Sequence, residues 1–216
     1  MSSAPDYYLG YRKEMKPLLP ESYTRVLEIG CGEGNFRQNL KHKHEYWGVE
    51  PAESAASKAK DKLDKVLVGI YESVVDQIPD NYFDLVICND VIEHMVDHEA
   101  FLRSIKSKMT TNGCLVASIP NVRFIENLAE LLFQRDWRYR EAGILDRTHL
   151  RFFTERSVVR SVLENGFVID KKIGINRYKG YRAYFGLMRI PYFLALLILG
   201  RDIRYLQFGI CIRVAR

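Results

Sequence analysis

At 216 residues and 25.2 kDa, with 47% hydrophobic and 27% charged residues, the chain has the size and balance of one globular domain. That composition excludes a disordered or fibrous polypeptide. A net charge of +5 permits a phosphate-bearing partner without requiring one.

The opening "MSSAPDYYLGYRKEM" lacks an apolar central region, so no signal peptide is expected, and residues 1–24 read as a helical cap. "RVLEIGCGEGNF" then runs as a buried strand over 26–30 and breaks into Gly30, Gly32 and Gly34. Residues 35–42 look helical, and "YWGVE" is a second strand. In "PAESAASKAKDKL", Ala52, Ala55, Ala56, Ala59 and Leu63 recur at helical spacing behind Pro51. "KVLVG" and "FDLVICN" are the third and fourth strands, residues 91–109 a long helix, and "GCLVASIP" the fifth strand. Strands alternating with helices predict an α/β, Rossmann-like, mostly parallel sheet with helices on both faces, which binds ligands beyond its carboxyl ends.

Beyond residue 121, "NVRFIENLAELLFQRDW" reads as an amphipathic helix, and "EAGILDRTHLRFF" has no period. Thr154 is placed to cap a further helix that Gly166 ends. "FVIDKKI" and "LQFGICIRVA" complete seven strands in a single domain, with 122–165 an acceptor-side insertion and 181–203 an apolar segment before the last strand. Within that segment "IPYFLALLILG" is eleven residues long, about half of a spanning helix, and lies between Arg189 and Arg201. Its length favours a buried helix, with peripheral membrane contact through 190–200 as the alternative. Cys31, Cys88, Cys114 and Cys211 form no Cys-x-x-Cys pair and read as reduced core residues of a cytoplasmic protein, at most at the inner face of a membrane.

The glycines match neither a P-loop, which needs Gly-Lys-Ser/Thr, nor the dinucleotide fingerprint, because position 35 is Asn35. Glu28, two residues before Gly30, would repel a phosphate and suits a ligand bearing positive charge. Glu50 ends the second strand, where a carboxylate accepts hydrogen bonds from ribose hydroxyls. A nucleoside carrying an ammonium and a sulfonium meets both conditions, as S-adenosylmethionine does.

The stretches "VLEIGCGEG", "WGVEP", "FDLVICNDVIEHM" and "GCLVASIPN" resemble the class I S-adenosylmethionine-dependent methyltransferases, in order and in spacing. The resemblance implies S-adenosyl-L-methionine as cofactor and an antiparallel last strand. By position it implies that Glu28, Gly30, Gly32 and Gly34 line the methionine and ribose side, with Glu50 on the ribose. It likewise places Asn89 and Asp90 under the sulfonium and amino group. The adenine carboxylate usual after the third strand is missing from "GIYES", leaving Ile70 and Tyr71 to hold the base. Tyr7, Tyr8, Tyr11 and Arg12 precede the first strand where relatives fold a helix over the cofactor, so Tyr8 and Arg12 join the expected binding set.

A hydroxyl acceptor needs a base, and His149 oriented by Asp146 in "DRTHLRFFT" is the expected pair. Arg147 and Arg151 are placed for an acidic group on the acceptor. "ILDRTHLRFFT" followed by "LENGF" resembles methyltransferases of bacterial surface-polysaccharide assembly, which implies O-methylation of a sugar hydroxyl on a saccharide or glycolipid precursor. In that reading nucleic acid is not a partner and no metal is assigned. The alternative is an RNA or quinone O-methyltransferase in which Asp90, Glu93 and His94, at i, i+3 and i+4, bind a metal with His149. A second alternative is a non-catalytic module that keeps the cofactor fold.

Overall fold

The computed structural model describes residues 11–41, 43–180 and 190–215. Seven strands make one sheet: β1 (Arg25–Ile29), β2 (Glu45–Glu50), β3 (Lys65–Val68), β4 (Phe83–Asn89), β5 (Met109–Pro120), β6 (Phe167–Arg177) and β7 (Tyr205–Val214). Their order is β3-β2-β1-β4-β5-β7-β6. β1 to β5 pair in parallel, and β7 runs antiparallel to both β5 and β6. The predicted Rossmann-like sheet with its antiparallel last strand is therefore the observed one.

The apolar runs explain the layering. Val26 and Leu27 of β1, and Leu85, Val86, Ile87 and Cys88 of β4, have no exposed surface. Strands buried on both faces need helical cover on both sides. Alternate side chains feed two core clusters, one around Leu27, Val86 and Phe101, the other around Val26, Leu85 and Met15. Helices α1 (Glu53–Ala59), α2 (Tyr71–Val74), α3 (His98–Lys108), α4 (Ile125–Ala129), α5 (Glu155–Glu164) and α6 (Ile190–Leu199) connect the strands. A 3-10 helix over Lys13–Leu18 buries Met15 and Leu18 against the sheet, the described part of the expected amino-terminal cap. All four cysteines are buried and unbridged.

Four expectations need correction. The long helix over 91–109 is instead a 3-10 turn at Ile92–His94 followed by α3, which Asp97 caps by accepting from Ala100 N at 2.8 Å. The Glu93 carbonyl is taken by Leu150 N (2.9 Å) and Arg151 N (3.0 Å), so it does not join a helical ladder. The helix after β5 ends early. α4 passes into one π-helical turn over Glu130–Gln134 and stops at Arg135 in the left-handed region, leaving Leu132 and Phe133 exposed. β5 begins at Met109 rather than at Gly113. Finally, α6 is not a core helix: Leu197 is 81% and Ile198 77% exposed, and only Tyr192 is buried. Thr154 caps α5 in a reciprocal box with Ser157, as expected.

Strand order reverses between β1 and β4, so their carboxyl ends diverge into a crevice.

Candidate active site

A cavity of about 990 Å³ opens at that crevice, walled by the loops after β1, β2, β3 and β4 and by part of the 141–148 loop. Gly30, Gly32 and Gly34 all have positive φ (71°, 52° and 75°), a backbone path that L side chains adopt only with strain. A Cβ on Gly30 would also come within 2.6 Å of a Val91 methyl. Gly30 and Gly32 thus put bare backbone on one wall of the cavity, whereas Gly34 does not line it and lies against Leu63.

Glu50 is 4% exposed and is clamped by main chain: Gly32 N donates to one oxygen (2.8 Å) and Ala52 N to the other (2.9 Å). Those bonds fix a carboxylate at the cavity wall with lone pairs to spare for a diol. Glu28 also lines the cavity but is buried, and the Tyr46 hydroxyl donates to it at 2.7 Å. Burial pushes its carboxyl up to about 8, the Tyr46 bond opposes this, and nearby Glu50 adds to it.

At the end of β4 both side-chain polar atoms of Asn89 are buried with no hydrogen-bond partner among the described residues. An orphaned amide facing a cavity is the signature of a polar group supplied by a ligand. Asp90 behaves differently. It sits at φ 54°, its Oδ1 accepts from Ser118 Oγ (2.8 Å) and Gln207 Nε2 (2.7 Å), and its other oxygen pairs with Arg12. Arg12 further donates to Glu14 (2.7 Å) and Ser118 (2.9 Å). Arg12 and Asp90 thus line the cavity as a mutual ion pair, and the open polar groups belong to Asn89. Tyr71 turns its hydroxyl away to Ser104 at 2.9 Å, offering its ring to the cavity, beside exposed Ile70. Tyr8 lies outside the described residues.

The expected His149–Asp146 pair is not formed. Asp146 spends one oxygen on Thr148, accepting from its N (2.8 Å) and hydroxyl (2.6 Å), in a local turn. His149 is 9% exposed, does not line the cavity, and uses Nδ1 on the Ile144 carbonyl at 2.9 Å. Its neighbour is Glu93, whose Oε1 is 4.0 Å from His149 Nε2. Arg147 is drawn to Glu141 (2.7 Å), and Arg151 donates to backbone carbonyls, so neither presents a free guanidinium.

Instead, Glu93, His94 and His149 converge, with one ligand atom from each lying within 4.8 Å of the others. Asp90 is not part of this group. His94 lines the cavity and points Nδ1 at the Thr148 carbonyl, 3.2 Å away. A carbonyl only accepts, so both imidazoles carry their proton on Nδ1 and turn an Nε2 lone pair outward. Glu93 is 1% exposed and neither oxygen has a hydrogen-bond partner among the described residues. Burial raises its carboxyl well above the usual range, and the nearby Asp90 charge adds to this. Burial lowers His94 below the ordinary imidazole value, with His149 contributing, so His94 is neutral at pH 7. Two imidazole lone pairs and an unpartnered carboxyl, with a backbone carbonyl behind each ring, fit a divalent cation.

Residues 6–172 match the methyltransferase domain family. The ubiquinone biosynthesis O-methyltransferase of Bradyrhizobium diazoefficiens is 30% identical over 155 residues, 70% of this chain and 61% of that protein. The mitochondrial ubiquinone biosynthesis O-methyltransferase of Homo sapiens is 25% identical over 181 residues, 77% of this chain and 47% of the other. This chain spans between 45% and 66% of the length of eight curated relatives that it matches. A SAM-dependent methyltransferase from Archaeoglobus fulgidus superposes with a TM-score of 0.69 over 96% of both chains at 20% identity. Bare glycine backbone, a clamped acidic residue and an orphaned amide around one cavity match the donor set that S-adenosylmethionine needs, and the family agrees. The chain belongs to the S-adenosylmethionine-dependent methyltransferases, and S-adenosylmethionine is its cofactor.

Proposed function

We propose that this methyltransferase O-methylates a quinone-type ring hydroxyl, with His94 as the residue that receives the proton. The convergence of Glu93, His94 and His149 against the cofactor cavity carries the reading. The relatives' names support a quinone acceptor and lend nothing to the sugar hydroxyl that the polysaccharide resemblance implied.

Glu50 and Asn89 hold the cofactor so that its methyl faces the acceptor, and the cavity walls exclude water. The acceptor oxygen attacks the methyl carbon in line as the carbon–sulfur bond breaks. S-adenosylhomocysteine leaves with the sulfur electron pair, and the acceptor proton passes to His94 Nε2. The Thr148 carbonyl and the His149 ring hold the His94 imidazole in place, and Glu93 keeps its surroundings polar. Should Glu93, His94 and His149 hold a divalent cation instead, His94 Nε2 would be a ligand rather than the proton acceptor, and the ion would supply Lewis acidity that lowers the acceptor hydroxyl's pKa.

The test supplies methyl-labelled cofactor with either a phenolic quinone precursor or a lipid-linked saccharide extract, with and without chelator. Label in the phenol, lost with His94→Ala, is the expected result. Label in the saccharide alone would overturn the quinone assignment and restore the sugar hydroxyl.

A further inference from the structure

The exposed face of α6 has no part in the chemistry above. From Ile190 to Leu199 the helix has no charged or hydrogen-bonding side chain except that of Tyr192, its one buried residue. Phe193 is 52%, Leu194 49%, Leu197 81% and Ile198 77% exposed. A helix apolar all round belongs in a core or in lipid, and this one is not in the core. No described helix is long and apolar enough to cross a membrane. At ten residues α6 is about 15 Å long, half the thickness of a hydrocarbon layer.

The charge around it is lopsided. Between residues 177 and 204 stand Arg177, Lys179, Arg182, Arg189, Arg201 and Arg204 against the single acid Asp202, so this segment carries as much net charge as the whole chain, +5. Arg177, Lys179 and Arg201 are exposed, and Asp202 is already paired with Arg123 at 2.7 Å. A symmetric contact between two copies through this face would bring exposed cations such as Arg201, which follows α6 directly, toward their own copies. An anionic surface relieves that charge and accepts the apolar side chains as well.

The helix is also fixed in place. Arg123 donates to the Leu199 carbonyl, and Asn121, just after β5, donates to the carbonyls of Asp202 (3.0 Å) and Tyr205 (2.9 Å). Gln207 of β7, which pairs with Pro120, reaches Asp90 at the cavity wall. Thus α6 sits at the same end of the sheet as the cofactor cavity.

We infer that α6 and its basic flanks dock this enzyme on an anionic lipid surface, lying in the headgroup layer with Phe193, Leu194, Leu197 and Ile198 inserted. The inference does not depend on which acceptor is methylated. Docking would hold the carboxyl end of the sheet, where substrate enters, beside the bilayer.

The experiment is co-sedimentation of the full chain with phosphatidylcholine vesicles and with vesicles in which part of that lipid is phosphatidylglycerol. The Leu197→Glu/Ile198→Glu variant runs in parallel, with light scattering of both proteins in the absence of lipid. Both side chains are mostly exposed, so the variant's thermal midpoint should match the wild type. Binding to anionic vesicles that weakens at least about tenfold in the variant, and falls with salt, is the expected result. Wild-type protein that ignores both vesicles, or a variant that binds as well as wild type, overturns the inference. So does a wild-type dimer that the variant dissolves, which would assign the face to a second copy. Equal binding to neutral and anionic vesicles overturns the anionic-lipid assignment.

Discussion

Replacing Glu28 with Gln should make the cofactor-free protein more stable at neutral and alkaline pH. Glu28 is buried, its one hydrogen bond among the described residues comes from Tyr46, and its carboxyl is raised from 4.5 to about 8. The native state therefore keeps a proton that the unfolded chain releases as pH rises through 4.5. Stability due to this group is complete below the unfolded value, declines as pH rises, and levels off above the native value. The slope is about 1.4 kcal/mol for each pH unit, so the full displacement corresponds to about 5 kcal/mol. Rearrangement around the ionised carboxylate recovers part of that, leaving about 2–3 kcal/mol at pH 7 to 8. Gln is neutral throughout and still accepts from the Tyr46 hydroxyl. Urea unfolding of both proteins between pH 5 and 9 should give curves that meet near pH 5 and diverge as pH rises. Adding S-adenosylmethionine should narrow the gap, because its positive charges favour the ionised carboxylate. A constant difference across the range, or a variant less stable at pH 8, would refute the reasoning, because Glu28 would then be ionised in the native state throughout.

Glu50→Gln should weaken cofactor binding by about 1.5–3 kcal/mol, the cost of losing a charged hydrogen-bond acceptor, and titration calorimetry reads it directly. An unchanged affinity would remove Glu50 from the ribose site. Asn89→Ala should lower cofactor affinity while raising the cofactor-free protein's stability by about 1 kcal/mol, because it deletes a buried amide without partners. Asp146→Asn should leave turnover within a few-fold of wild type, since that side chain serves Thr148, whereas His94→Ala should cut kcat by about 10²–10⁴. The reverse ranking would reinstate Asp146 and His149 as the catalytic pair.

The strands and the cofactor were legible in the sequence because both are written locally. Buried strands such as "FDLVICN" are continuous apolar runs, and bare backbone is spelled as Gly30, Gly32 and Gly34. Glu50 ends its strand at the same sequence position that puts it on the cavity wall. Thr154 and Ser157 spell a helix start within four residues.

What the sequence could not carry was any pairing across the chain. Asp146 stands three residues from His149, and nearness along the chain suggested a dyad that a local turn forbids. Glu93 meets His149 only because Leu150 and Arg151 dock on the Glu93 carbonyl, a contact bridging more than fifty residues. Asp90 follows Asn89 directly, yet the left-handed backbone at Asp90 sends its carboxylate to Arg12, Ser118 and Gln207, leaving Asn89 unpartnered. The apolar run at 190–199 gave a helix but not its surroundings, for burial depends on what packs against a segment. Periodicity, backbone freedom and capping are properties of neighbouring residues, so the sequence alone determined them. Which side chains face each other, and which apolar surface stays bare, depends on distant segments meeting, and only the tertiary structure decided it.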